Sequence, residues 1–275
     1  MPEKNGRDRT ASIAVFCDFE NIAIGVRESR YDDFDINRVL ERLLLKGSIV
    51  VKKAYCDWER YKDFKKKMHE AAFELIEIPH VRQSGKNSAD IRMVVDALDL
   101  CYTKPHVNTF AMMSGDSDFS SLVTKLREND KVVIGVGVKN STSDLFTGAC
   151  DEFIFYDDLV REHEKRRKSR KRVPAKPKAA ATAPKGEAGA EERRQEAFDL
   201  VLDTIEMLWD ERGDEDEVWG SMVKQAIKRR KPGFNESYYG FRSFSELLKT
   251  MEKEKMLVME PDERSGGYII RDVLE

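Results

Sequence analysis

Through its first 158 residues the chain alternates short, unbroken apolar runs with segments of helical periodicity. Few architectures accommodate that alternation. Residues 12–17 (SIAVFC) form such a run and end at Asp18. A continuous apolar run of this length reads as a strand buried on both faces. Residues 35–46 (DINRVLERLLLK) follow, with Ile36, Val39, Leu40, Leu43 and Leu44 at helical spacing and Gly47 placed to stop the helix. The spacing then predicts a strand at 49–55, a helix through 59–72, a strand at 74–78 and a helix from Ala89 to about Tyr102. TFAMMSG is the next strand, followed by a helix through 117–128 and strands at 131–138 and 152–156. Strands alternating with helices argue for a parallel sheet covered on both faces, an α/β fold. In such sheets ligands bind beyond the carboxyl ends of the strands, where Asp18 and Asp116 fall.

After Asp158 the character changes. LVREHEKRRKSRKR reads as a basic helical extension, and VPAKPKAAATAPKGEAGAEE as a flexible linker extended around its prolines. The 36% of charged residues in the 275-residue chain is high, which accords with a solvated segment of this kind. Order resumes near Glu191. Phe198, Val201, Leu202, Ile205 and Leu208 mark one amphipathic helix. Val218, Met222, Val223 and Ile227 mark a second, which ends in Lys228–Lys231 before Pro232. Ser243 and Glu246 have the spacing of a capping box, opening a third helix with Leu247, Leu248 and Met251. MLVME, a turn at Gly266-Gly267 and YIIR read as a hairpin. Helices followed by a small hairpin suggest a winged-helix-like module of about 80 residues. The expected organisation is therefore 11–158, 159–190 and 191–273.

Other features bound the function. No apolar run approaches the roughly 18 residues that span a bilayer. The N-terminus lacks the apolar centre of a secretory signal, so a cytoplasmic location is expected. The four cysteines, Cys17, Cys56, Cys101 and Cys150, form no CxxC pair, which argues for free thiols over zinc ligands or disulfides. GVGVKNST lacks the spacing of a phosphate-binding P-loop. The histidines His69, His80, His106 and His163 form no cluster suited to nucleophilic or acid–base chemistry.

The carboxylates carry the sharper signal. A lone Asp at a strand exit is ordinarily a cap for the following turn. In SGDSDF, however, capping explains Asp116 and leaves Asp118, two residues on, without a role. Asp90 opens the helix ADIRMVVDALDL at one edge of the stripe Ile91, Val94, Val95 and Leu98, which is expected to face the core. Asp96 falls roughly opposite that stripe and is expected to be solvated. Several carboxylates from separate strand ends suit a hard divalent cation, which needs few protein ligands beside water and phosphate. Lys86, Asn87 and Ser88 precede Asp90, and Lys139, Asn140, Ser141 and Thr142 follow a strand on the same rim. Each is a candidate for the substrate backbone, against the plainer reading of a polar loop residue. Ser143-Asp144 reads as a helix start.

IAVFCDFENI, KNSADIRMVVDALD and MMSGDSDFSSLVTKLRENDKVVIGVG together resemble the NYN domain of the PIN-like nuclease superfamily, over roughly residues 11–158. YYGFRSFSELLKTMEKEKMLVME and GGYII resemble a LOTUS (OST-HTH) domain, a winged-helix-like module often joined to NYN domains. The first resemblance implies a PIN-like sheet and Mg²⁺- or Mn²⁺-dependent hydrolysis of RNA phosphodiesters. A metal-bound water would be the nucleophile, leaving a 5′-phosphate and a 3′-hydroxyl. It carries over Asp18, Asp90, Asp116 and Asp118 as the acidic, metal-holding set, with Asn21 as an accessory polar contact; Lys86, Asn87, Ser114 and Lys139 stand beside these as candidate accessory or substrate contacts. The second implies binding of RNA, single-stranded or structured, or of a protein partner. Lys228, Arg229 and Arg230 beside Tyr238 and Tyr239 suit single-stranded RNA, while Phe241 and Phe244 are the first candidates for core. The run from Arg166 to Arg172 reads equally as an RNA-backbone contact or a solubilising linker edge.

Three readings compete. The first is an endoribonuclease whose second domain positions substrate. The second is an RNA-binding adaptor with a weak or inactive site. The third is another metal phosphotransfer fold. A haloacid-dehalogenase-like enzyme wants DxDx[TV] where this chain has Asp18-Phe19-Glu20-Asn21, and a Toprim enzyme wants an early glutamate for which Glu20 alone is available. Asp90 and its helix count against both.

Overall fold

The computed structural model describes residues 11–31, 33–78, 88–172, 185–212, 217–262 and 266–274. The chain divides into two compact units, Met1–Pro174 and Ala175–Glu275.

The first unit is built on six parallel strands. They are β1 (Ala11–Asp18), β2 (Gly47–Cys56), β3 (Glu74–Glu77), β4 (Thr109–Met113), β5 (Val132–Gly137) and β6 (Glu152–Phe155). Their order is β3-β2-β1-β4-β5-β6. Between them run α1 (Phe19–Glu28), α2 (Ile36–Lys46), α3 (Lys62–Glu70), α4 (Ser88–Thr103), α5 (Ser120–Glu128) and α6 (Asp144–Ala149), and α7 (Tyr156–Arg172) follows β6.

Because successive strand side chains point to opposite faces, the unbroken apolar run of β1 feeds two cores. Ile13, Val15 and Cys17 pack with α1, α2 and α7. Ala14 and Phe16 pack with α4, α5 and α6. Asp35 caps α2 by accepting the Asn37 N–H, and Gly47 ends it and starts β2. Among the described residues no helix is long and apolar enough to cross a membrane.

Two expectations on α4 are corrected. Met93, Ala97 and Cys101 form its buried stripe, with Val94 and Leu98 packed half-buried beside it as expected, whereas Ile91 and Val95 are 62% and 56% exposed. The helix is apolar over two adjacent stripes, so its periodicity fixes a spacing and not which stripe meets the sheet. The same rotation half-buries Asp96, which accepts the Tyr55 hydroxyl at 2.8 Å and pairs with Arg92 and Lys53. Asp96 is thus a structural acid between α4 and β2.

The second unit packs α8 (Lys185–Arg212), α9 (Gly220–Arg230) and α10 (Phe244–Lys253) with an antiparallel sheet ordered β7-β9-β8. Those strands are Val218–Trp219 (β7), Leu257–Pro261 (β8) and Tyr268–Val273 (β9). Val218 belongs to β7 rather than to the second helix, and α8 begins at Lys185, inside the stretch read as linker. Ser243 caps α10 through the Glu246 N–H, while Glu246 accepts the Arg242 N–H at 2.6 Å. Phe241, Phe244, Leu247, Leu248 and Met251 are buried beneath it.

Candidate active site

Strands β1 and β4 lie side by side with Cys17 opposite Met113, and the chain leaves them in opposite directions across the sheet. That reversal opens a crevice at the carboxyl edge, where parallel sheets bind ligands. Asp18 is the last residue of β1, and Ser114-Gly115-Asp116 follows β4.

The residues there form one hydrogen-bonded array. The buried Ser114 hydroxyl donates to Asp18 Oδ2 at 3.0 Å and accepts the Asp116 N–H at 3.2 Å. Asp18 Oδ1 accepts the Asn21 N–H, which caps α1. Asn21 Oδ1 in turn accepts the Gly115 N–H at 2.8 Å. Asp116 Oδ1 accepts the Asp118 N–H and caps the 3-10 turn Ser117–Phe119 that leads into α5. Gly115 is required by close approach, since a Cβ there would stand 2.1 Å from the Ser141 carbonyl oxygen. The same loops are tied by Ser143 N–H donating to Gly115 O at 2.9 Å.

Asp18, Asp90 and Asp116 line a cleft of about 310 Å³, with Glu20, Asn21 and Asp57 also in its wall. None of the described lining residues is a lysine or arginine. The electrostatic consequence is strong. Burial, reinforced by Asp90, lifts the Asp18 carboxyl to about 7 despite hydrogen bonds from Asn21 and Ser114 that oppose the rise. Burial and then Asp116, Asp118 and Glu20 lift Asp90 to about 6. Asp118 itself is exposed at the rim and does not line the cleft.

An all-oxygen, anionic donor set is what hard divalent cations select, so the chemistry of these residues fits Mg²⁺ or Mn²⁺. The carboxylates share a cleft without converging on one point: among the described residues no three His, Cys, Asp or Glu side chains stand ready to hold one ion. A larger cleft of about 740 Å³ lies between α2, α3 and α7. Its charges are mixed, with Asp35 paired with Arg38 and Asp33 with Lys67, so it offers no comparable acidic array.

The other candidates are sorted by their contacts. Asn21 and Ser114 position the loop and Asp18. Lys139 does not line the cleft: its ammonium pairs with Asp158 at 2.9 Å and sits over the Phe155 ring. Lys86 and Asn87 lie outside the described residues, as do the side chains of Arg166–Arg172. Glu20 and Asp57 were not singled out as site residues from sequence, although both follow a strand's carboxyl end, the signal that marked Asp18.

In the second unit, Tyr238 is 59% exposed and carries the Arg193 guanidinium over its ring at 5.4 Å. Tyr239 is buried, stacked on Phe234, with its hydroxyl beside Lys231 and Glu196, which removes it from an RNA-facing set. Arg230 is likewise turned inward, paired with Asp203 at 3.1 Å and donating to Thr204 at 2.9 Å. Arg229 donates to the Gln225 carbonyl, and Lys228 remains exposed. Arg193 escaped notice because it directly follows the stretch read as linker.

Comparison with known proteins places two families along the chain. The family model for the NYN domain matches residues 12–157, and that for the OST-HTH/LOTUS domain matches residues 200–255. NYN domains are typically ribonucleases, and LOTUS domains bind RNA. No curated protein matches the chain. A crystal structure of a protein of unknown function from Vibrio parahaemolyticus is similar, with 26% identity and a TM-score of 0.49 over 58% of this chain and 98% of that one. The chain therefore belongs to the NYN domain family and carries an OST-HTH/LOTUS domain in the same polypeptide.

Proposed function

We propose that the protein is a metal-dependent endoribonuclease, with a nuclease domain at 11–158, a connecting segment at 159–190 and an RNA-binding domain at 191–273. The observation that carries this reading is the cleft at the sheet's switch point, which Asp18, Asp90 and Asp116 all line with no lysine or arginine among its described lining residues.

Asp18, Asp90 and Asp116 would hold a Mg²⁺ or Mn²⁺ ion, which when bound supplies Lewis acidity and screens the phosphodiester's charge. The remaining work falls to the chain. Ser114 fixes the rotamer of Asp18, and the Asn21–Gly115 hydrogen bond fixes the loop that presents Asp116. The N–H groups opening α5 give the rim behind Asp116 a positive end that favours a phosphate oxygen. Asp118, at the rim, adds to the negative field that draws a cation in.

A second reading is an RNA-binding adaptor with a weak or inactive site. It is favoured by Asp18, both of whose oxygens already accept hydrogen bonds from within the domain. Cleavage of labelled single-stranded and structured RNA with Mg²⁺ or Mn²⁺, beside EDTA and Asp116→Asn controls, separates the two. Metal-dependent cutting that disappears in the variant supports the nuclease. A folded protein that binds RNA and cuts nothing in either metal is the adaptor.

A further inference from the structure

Ile24 lines two cavities at once. On one side it closes the acid cleft, and on the other it walls a second cavity of about 230 Å³ between α1 and α3. The walls of that second cavity are mostly apolar, with Ala23 and Ile24 from α1 facing Tyr61 and Phe64 from the start of α3. Both rings are held from behind by the buried Phe19, at centroid distances of 5.7 and 5.1 Å. Neither ring is fully buried, so both keep surface toward the cavity.

The charge at its mouth is positive. Arg27 lines the cavity, is exposed, and makes no ion pair among the described residues. Arg60, adjacent to Tyr61, bridges to Glu20 at 3.1 Å, and Glu20 lines the acid cleft. The acid in the cavity wall, Asp33, is paired with Lys67. Along α1 the positions 18, 21, 24 and 27 therefore run from carboxylate to amide to apolar wall to free guanidinium. At about 1.5 Å of rise per residue this sequence spans roughly 14 Å.

An apolar pocket with aromatic walls and a cationic rim, sharing the wall residue Ile24 with a carboxylate cleft, has the chemistry to take an unpaired nucleobase and its phosphate. Single-stranded RNA is recognised by splayed bases stacked on rings, with guanidinium groups on the backbone. We propose that the α1–α3 cavity is a base subsite. It takes an unpaired base a short way along the strand from the phosphate held at the acids, with Tyr61 and Phe64 as its aromatic wall and Arg27 on the flanking phosphate. The proposal rests on the ribonuclease reading above and adds to it a substrate class, single-stranded RNA with a preferred base at one position.

The test uses the full chain and two substitutions chosen to spare the fold. Ala23→Leu fills the cavity from a helix position, and Arg27→Ala removes an exposed cation. Binding of fluorescein-labelled homopolymer oligoribonucleotides is read by anisotropy in EDTA, where nothing is cut. Cleavage of a random-sequence RNA pool in Mn²⁺ is read by sequencing the new ends. The wild type is expected to prefer one base near the cut, and each variant to bind roughly 5- to 100-fold more weakly. The loss should fall on KM rather than kcat, and Ala23→Leu should flatten the preference. If the wild type cuts, and both variants remain folded with unchanged affinity, KM and end sequences, the subsite is wrong and the nuclease stands. If the wild type binds without cutting, the anisotropy series alone decides the subsite. A wild type that neither binds nor cuts single-stranded RNA overturns both.

Discussion

Ser114 Oγ stands 3.0 Å from Asp18 Oδ2, a hydrogen bond between residues 96 positions apart that joins the ends of β1 and β4. Because the same oxygen also accepts the Asp116 N–H, one buried hydroxyl sets the spacing of two carboxylates. Ser114→Ala should cost about 1–3 kcal/mol of stability by leaving these groups unpaired. It should also weaken metal affinity by roughly 10–100-fold, as loss of a partner behind a ligand commonly does. Chemical denaturation and metal titration of the variant measure the two effects separately.

The acid cleft should make stability fall as pH rises. Asp18 sits at about 7 in the folded chain against an ordinary 3.8, so the folded state binds the proton more tightly than the unfolded one. Its contribution is complete below about pH 4 and is lost on the way to pH 7, on the order of 4 kcal/mol. Asp90, at about 6, adds a fall of the same sign over a narrower window. Denaturation curves for Asp18→Asn should lose most of the slope between pH 4 and pH 7. A variant with the wild-type slope would show that the Asp18 charge is not the cause.

Divalent cations should reverse that penalty at neutral pH. An ion that binds only the folded chain adds about 2.7 kcal/mol at a hundredfold excess over its dissociation constant. Thermal melts at pH 7.5 should therefore rise with Mg²⁺ or Mn²⁺ in the wild type. They should not rise in Asp116→Asn or Asp90→Asn, which should also fail to cut RNA. Stabilisation that survives both substitutions would place the ion elsewhere.

Adjacent tyrosines in the second unit should behave oppositely. Tyr238→Ala removes a largely exposed ring that meets Tyr239 edge-on, so it should cost only about 0.5–1.5 kcal/mol of stability while weakening single-stranded RNA binding by about 1–3 kcal/mol. Tyr239→Ala empties a core position stacked on Phe234 and should destabilise the unit by about 3–5 kcal/mol. Melts and anisotropy on the two variants give a crossed pattern if the assignment is right. Equal effects on both readouts would remove Tyr238 from the RNA surface.

The alternation of strands and helices was legible in the sequence because periodicity and capping are local. Asp35, Ser143 and Ser243 each accept an N–H from the first turn of the helix they precede. The placement of Asp18 and Asp116 at strand exits is equally local. What tertiary structure decided was phase and partnership. The apolar stripe of α4 that meets the sheet is Met93, Ala97 and Cys101, and that choice turned Asp96 inward against Tyr55. Lys139 was drawn to Asp158 and Arg230 to Asp203, each by a charge distant in sequence. Tyr238 and Tyr239 are neighbours in a turn and touch edge to face at 5.0 Å, yet packing against Phe234 buried Tyr239 and left Tyr238 outermost. A spacing constrains which residues share a face. Which face is buried, and beside which carboxylate, depends on neighbours that strand order brings from elsewhere in the chain.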